Sequence, residues 1–167
     1  MIIDGLAYIE NKRITWVHIG GGGKLDALKE QAEKQLGKKP NIQYRFMGNV
    51  VNDEVIRFYK ENYVGCFITT TQTEGGSPVS VQEALSFGVP IIATSGGELP
   101  LMVKSNGIIL PSTPQKAEVG RAIETMWEIY GTDSYFSMCG ESLAIFRGMF
   151  DEKMNYNGLV EEISGSV

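Results

Sequence analysis

Cysteine and histidine are scarce in this chain: two cysteines and one histidine in 167 residues. Cys66 and Cys139 stand far apart with no C-x-x-C pair, and His18 has no partner in sequence. That excludes a zinc site of ordinary ligand spacing. Cys66 sits in the apolar run Val64-Gly65-Cys66-Phe67-Ile68 and reads as a small buried hydrophobe, at home in a reducing cytoplasm. Long hydrophobic runs are missing as well, and nothing approaches the ~18 apolar residues of a membrane helix. The opening Met1-Ile2-Ile3-Asp4-Gly5-Leu6 lacks the basic stretch of a signal peptide. Basic side chains are the minority, 15 against 20 acidic, for a net charge of −5. Nucleic acids and anionic membranes are bound through clustered Lys and Arg, so neither is the expected partner.

What is present is an alternation of short β-rich runs and amphipathic stretches over a single domain, residues 1–167. Residues 2–9 read as a helix and 14–19 as a strand, followed by Leu25, Leu28, Ala32 and Leu36 at helical spacing. Strand 42–46 precedes a helix capped by Asn52 or Asp53 and running through Tyr59. Strand 64–70 leads into the glycine loop Glu74-Gly75-Gly76, with Ser77 as the N-cap and Pro78 as first residue of a helix ending at Gly88. Strands 89–93 and 107–110 follow. Thr113-Pro114 opens a helix with the apolar stripe Val119, Ala122, Ile123, Met126 and Tyr130, and 133–163 is helical by pattern.

Strand–helix alternation with short loops predicts an α/β fold, a doubly wound and mostly parallel sheet with helices on both faces. Ligands of such sheets bind beyond the carboxyl ends of the strands. That selects four loops: 20–23, 48–50, 71–77 and 94–98. All are rich in glycine or small polar residues. The third has the most chemistry. A strand end, a glycine loop and a helix N-terminus offer free N–H groups and a dipole that suit phosphate. Glu74 stands at the mouth. Ser80, Glu83 and Phe87 share one helix face, while Val81, Ala84 and Leu85 share the core face. A carboxylate at Glu83 can accept two hydroxyl hydrogen bonds from a ribose.

Three other readings are available for these loops. A nicotinamide-binding G-x-G-x-x-G beginning at Gly20 fails, because position 25 is Leu25 and no acidic residue follows the second strand. A phospho-aspartate receiver fails, because Phe67-Ile68-Thr69-Thr70-Thr71 carries no carboxylate. A non-catalytic nucleotide- or sugar-binding module, or an inactive fragment, survives. His18, Lys24, Trp127, Tyr130 and the Glu161-Glu162 pair read as structural or solvated residues.

The segment from Thr73 to Pro90 resembles the signature of family 4 retaining glycosyltransferases: a glutamate, a spacer, a second glutamate, then alanine and Gly-x-Pro before a strand. It is similar to the C-terminal, donor-binding half of the GT-B fold. Arg45-Phe46-Met47-Gly48-Asn49-Val50 and Asn106-Gly107-Ile108-Ile109-Leu110 match further stretches of that half in the right order. The resemblance implies that Glu74 is the catalytic-site glutamate, bonding the transferred sugar. Gly75, Gly76 and Ser77 lie by the sugar and diphosphate, and amides near Val79 and Ser80 meet the phosphate. Glu83 holds the ribose, Gly48, Asn49 and Val50 border the base, and Gly20, Gly21 and Gly22 border the diphosphate.

It further implies transfer from a nucleotide-diphosphate sugar to an acceptor hydroxyl with retention, no metal or other cofactor, a role in cell-surface polysaccharide or glycoconjugate synthesis, and a cytoplasmic location with room for peripheral membrane association of the parent. Two departures stand out. Eight residues, not seven, separate Glu74 from Glu83, and Leu101 occupies the place of a usual glutamate. The chain is also expected to lack the acceptor domain and the domain's first strand with its Arg…Lys pair. In the usual strand order that strand is central. The sheet should therefore show a gap, or a direct non-native pairing, between strands 14–19 and 64–70.

Overall fold

The structure, a computed structural model, describes residues 1–71 and 76–150. Helix α1 (Ile2–Tyr8) is followed by β1 (Ile14–Ile19), α2 (Leu25–Leu36), β2 (Ile42–Gly48), α3 (Asn52–Glu61) and β3 (Phe67–Thr69). Then come α4 (Val79–Ser86), β4 (Ile91–Thr94), α5 (Leu99–Met102), β5 (Gly107–Leu110), α6 (Lys116–Ile129) and α7 (Asp133–Phe150). Every strand pair is parallel. β1 pairs with β2 from Ile14↔Ile42 to His18↔Phe46, then shifts register so that Ile19 faces Gly48. β3, β4 and β5 form a second sheet in that order. The expected α/β architecture is present, and so is the expected gap: β1 and β3 are not paired.

There are two apolar cores, and the first reaches across both sheets, taking in Ile92 of β4 and Leu110 of β5. Ile3, Leu6, Leu36, Ile42, Val119 and Ile123 belong to the first, which gathers α1, α2 and α6. Val81, Leu85, Ile91, Leu99, Met102 and Ile145 belong to the second, around β4 and helices α4, α5 and α7. Each large side chain buried this fully contributes roughly 1.5–3 kcal/mol. The heaviest burial lies in β4, whose four residues are all buried, as befits a strand with neighbours on both edges.

Several element boundaries differ from the sequence reading. β3 begins at Phe67 rather than residue 64, because its ladder exists only opposite β4, and β4 begins at Ile91 after Pro90, which has no N–H to give. β2 runs on to Gly48. The N-cap of α3 is Val51, without a side-chain cap bond; Asn52 lies inside the helix. Likewise the N-cap of α4 is Pro78 and not Ser77. The Ser77 hydroxyl donates to Met102 Sδ at 3.2 Å, and no side chain caps the helix. Helix α6 starts at Lys116, where Gln115 and Glu118 make a reciprocal capping box, and not at Thr113-Pro114. Tyr130 falls beyond its end and is half exposed. The short helix α5 was not foreseen. Helix α7 begins at the expected Asp133, and the remainder of the helical stretch 133–163, from residue 151 on, lies outside the described residues.

Candidate functional site

The loops beyond β1 and β2 are in contact. The Gly20 amide donates to the Gly48 carbonyl at 2.9 Å. Gly22 has a φ of 103°, which L side chains rarely adopt, so the loop needs glycine there. At Gly21 the constraint is close approach: a Cβ would fall 2.5 Å from Asn49 Oδ1. Gly20 and Gly21 are thus brought against Gly48 and Asn49, with Gly22 and Val50 next to them in their turns. Asn49 itself is exposed.

The second group of residues opens α4. Gly76 and Ser77 are half-buried, and Val79 and Ser80 are exposed. The first helical bond is donated by Val81 to the Pro78 carbonyl at 3.0 Å. The Val79 and Ser80 amides precede it, at the positive end of the helix. Gln82 Nε2 holds the Ser77 carbonyl at 3.1 Å and fixes the turn. Val81, Ala84 and Leu85 are fully buried, which turns Glu83 and Ser80 away from the core, as the spacing predicts. Glu74 and Gly75 lie outside the described residues.

Glu83 joins the two groups. Its Oε1 accepts a hydrogen bond from Asn52 Nδ2 at the start of α3, just past the 48–50 turn. Tyr59 of α3 stacks on Phe87 at the end of α4, with ring centroids 5.1 Å apart and planes within 10°. Burial, and then the Glu83 charge, push the Tyr59 phenol up from its ordinary range. Asn52 therefore anchors one oxygen of Glu83, while the Tyr59–Phe87 stack holds α3 against α4. Sequence reading placed Asn52 only as a cap, since its partner lies 31 residues on. His18, beside the rings of Trp16 and Phe46, has its pKa lowered by burial.

The fourth loop is tied to the third. Thr94 Oγ1 donates to the Thr71 carbonyl, and Ser77 reaches Met102. Thr94 is fully buried, whereas Glu98 and Leu101 are exposed. Among the described residues no group of three His, Cys, Asp or Glu is placed to hold a metal ion.

The sequence profile described as "Glycosyl transferases group 1" matches residues 1–128. The chain belongs to the group 1 glycosyltransferases. Its fold is the Rossmann-like half of a GT-B glycosyltransferase. Anabaena Alr3699/HepE, solved in complex with UDP, superposes with a TM-score of 0.74 at 22% identity, over 98% of this chain and 44% of that one. A glycosyltransferase from Rickettsia africae ESF-5 gives 0.75 at 14% identity, over 97% of this chain and 43% of that one. Sucrose-phosphate synthase from Thermosynechococcus elongatus gives 0.71 at 14% identity, over 99% and 42%. The group 1 chain described here thus spans less than half the length of these structures. No curated protein sequence is similar enough to count as a relative. Among the described residues no helix is long and apolar enough to cross a membrane.

Proposed function

We propose that this chain is the donor-binding half of a retaining glycosyltransferase that takes a sugar from a nucleotide-diphosphate sugar. The observation that carries the reading is Glu83, half-buried between α4 and the start of α3. Its Oε1 is engaged by Asn52, which leaves Oε2 to accept the ribose hydroxyls. The amides of Val79 and Ser80 face the phosphates at the helix N-terminus. Gly48, Asn49 and Val50 border the base, and Gly20, Gly21 and Gly22 line the diphosphate side. Glu74, with Gly75 and Gly76, takes the sugar hydroxyls.

In the reaction the bond between the anomeric carbon and the diphosphate oxygen breaks. A new bond forms from the anomeric carbon to an acceptor hydroxyl oxygen with the same anomeric configuration, and the hydroxyl proton passes to the departing diphosphate. Helix amides placed where the leaving diphosphate gains charge lower the barrier electrostatically, and the reading assigns no step to a metal ion. A relative bound to UDP supports the nucleoside diphosphate class. An acceptor half supplied by another segment, a cytoplasmic setting and a product in cell-surface polysaccharide belong to the same proposal. Without the acceptor half, this chain binds donor and does not transfer.

Calorimetric titration with UDP, GDP, ADP and NAD tests it. One nucleoside diphosphate should bind, and Glu83→Ala should weaken it at least ~10-fold, about 1.4 kcal/mol, with thermal stability unchanged. Binding of none of them, or binding indifferent to Glu83→Ala, would overturn the reading.

A further inference from the structure

Exposed aliphatic side chains gather at one end of the molecule. Among the described residues the branched aliphatics most open to solvent are Val51, Val79 and Leu101, at 67%, 65% and 55%. Each follows the carboxyl end of a parallel strand. Val51 is the N-cap of α3 after β2, Val79 opens α4 after β3, and Leu101 lies in α5 after β4. They share the end of the sheets that carries the candidate site. One exposed aliphatic residue needs no explanation, but three at one end of the sheets do. Leu101 is also held in place. Leu99 and Met102 of the same short helix are fully buried, which turns Leu101 outward. Met102 Sδ accepts the Ser77 hydroxyl, and the Thr71 carbonyl accepts the Thr94 hydroxyl, so α5 and the loop before it are fastened to the loop before α4. Val79 stands two residues from Ser77, and Leu101 stands next to Met102. Glu98, at the head of α5, is exposed and bounds this apolar surface with a carboxylate.

We propose that Val79 and Leu101 select a transferred sugar that carries a methyl group, either on an acetamido substituent or as the C6 methyl of a 6-deoxyhexose. This rests on the donor reading above, which puts the sugar beside Gly76 and Ser77 and so within reach of both side chains. A methyl laid against Val79 and Leu101 removes apolar surface from water on both partners. A hydroxyl in the same place gives up its water and meets no donor in return, since the Ser77 and Thr94 hydroxyls are already engaged. In an enclosed apolar pocket a difference of this size discriminates roughly 10- to 200-fold. Side chains that stay more than half open should give a smaller preference, about 5-fold.

Calorimetric titration of the full chain tests this. The probes are UDP-glucose, UDP-N-acetylglucosamine and UDP-6-deoxyglucose, each compared with UDP; if GDP or ADP is the diphosphate bound, the same three sugars are carried on it. One methyl-bearing donor should bind at least ~5-fold more tightly than the glucose donor, and which one does so names the position of the methyl. Leu101→Gln should bring that ratio to within ~2-fold, and Leu101→Met should keep it, because only the first puts a polar group against the methyl. Leu101 is exposed, and thermal melts of both variants should match the parent. Val79→Ser is the second variant and should lower the ratio in the same direction. Three results would overturn the proposal. One is a glucose donor that binds as well as both methyl-bearing donors, with the diphosphate itself bound; that leaves the donor reading standing. Another is a preference that survives both Leu101→Gln and Val79→Ser. The last is no binding of UDP, GDP or ADP, which removes the donor reading and this inference together.

Discussion

Asn52 Nδ2 donates to Glu83 Oε1 and so links the first residue of α3 to α4, the helix beyond β3. A hydrogen bond to a charged acceptor is worth more than a neutral one, though half-exposure reduces it. Asn52→Ala should weaken nucleoside diphosphate binding about 3- to 10-fold by freeing the carboxylate. Asn52→Asp should weaken it further through like-charge repulsion. Calorimetry on both variants checks the order, and an Asn52→Asp protein that binds as well as the parent would contradict it.

Glycines here differ sharply in what they tolerate. A Cβ at Gly107 would lie on the backbone carbonyl of Ile91, at 1.9 Å, so Gly107→Ala must pry β5 from β4. A loss of at least ~3 kcal/mol is expected, seen as a collapse of the denaturant midpoint. A Cβ at Gly140, on the exposed side of α7, meets nothing within 4 Å. Gly140→Ala should raise stability by about 0.5–1 kcal/mol.

Asn106 and Ser142 bolt α7 to the second sheet. Asn106, fully buried, accepts the Lys104 amide at 2.7 Å and donates to the Met102 carbonyl and to Ser142 Oγ, at 3.2 and 3.3 Å. Ser142 passes its own proton to the Val89 carbonyl at 3.0 Å. Ser142→Ala leaves that carbonyl unmet in a buried place and should cost about 1–3 kcal/mol. Asn106→Ala should cost more, and a double-mutant cycle should show coupling between the two.

Acid should loosen α1. Burial alone would raise the Asp4 carboxyl, but hydrogen bonds from Gln35, Lys116 and the N-terminal ammonium outweigh it and hold the group at about 2. Its folded pKa lies below the ordinary 3.8, so its stabilisation is complete above that value and is lost as pH falls through about 2. Asp4→Asn should be about 1–2 kcal/mol less stable at pH 6. That difference should shrink below about pH 4 and close only as the pH reaches about 2. Thermal melts from pH 2 to 7 on both proteins measure it.

Alternating β-rich and amphipathic runs were enough to show the α/β class, because side-chain period is a local property. Leu25, Leu28, Ala32 and Leu36 mark α2, and Val81, Ala84 and Leu85 mark the buried face of α4, whatever lies around them. The order of glycine loops after strands also pointed to the candidate site, since parallel β-α units put those loops on one side. The break between β1 and β3 was one of the two arrangements that the order of elements predicted, direct pairing of the two being the other.

What the tertiary structure alone decided are the relations between distant residues. Ser77 looked like a cap and is instead bound by Met102, 25 residues away. Asn52 looked like a cap and instead positions Glu83. β3 is shorter than its β-branched run because a strand ends where its partner does, and Pro90 stops the partner. A residue's own chemistry sets what it can do, and only the fold sets which group it meets.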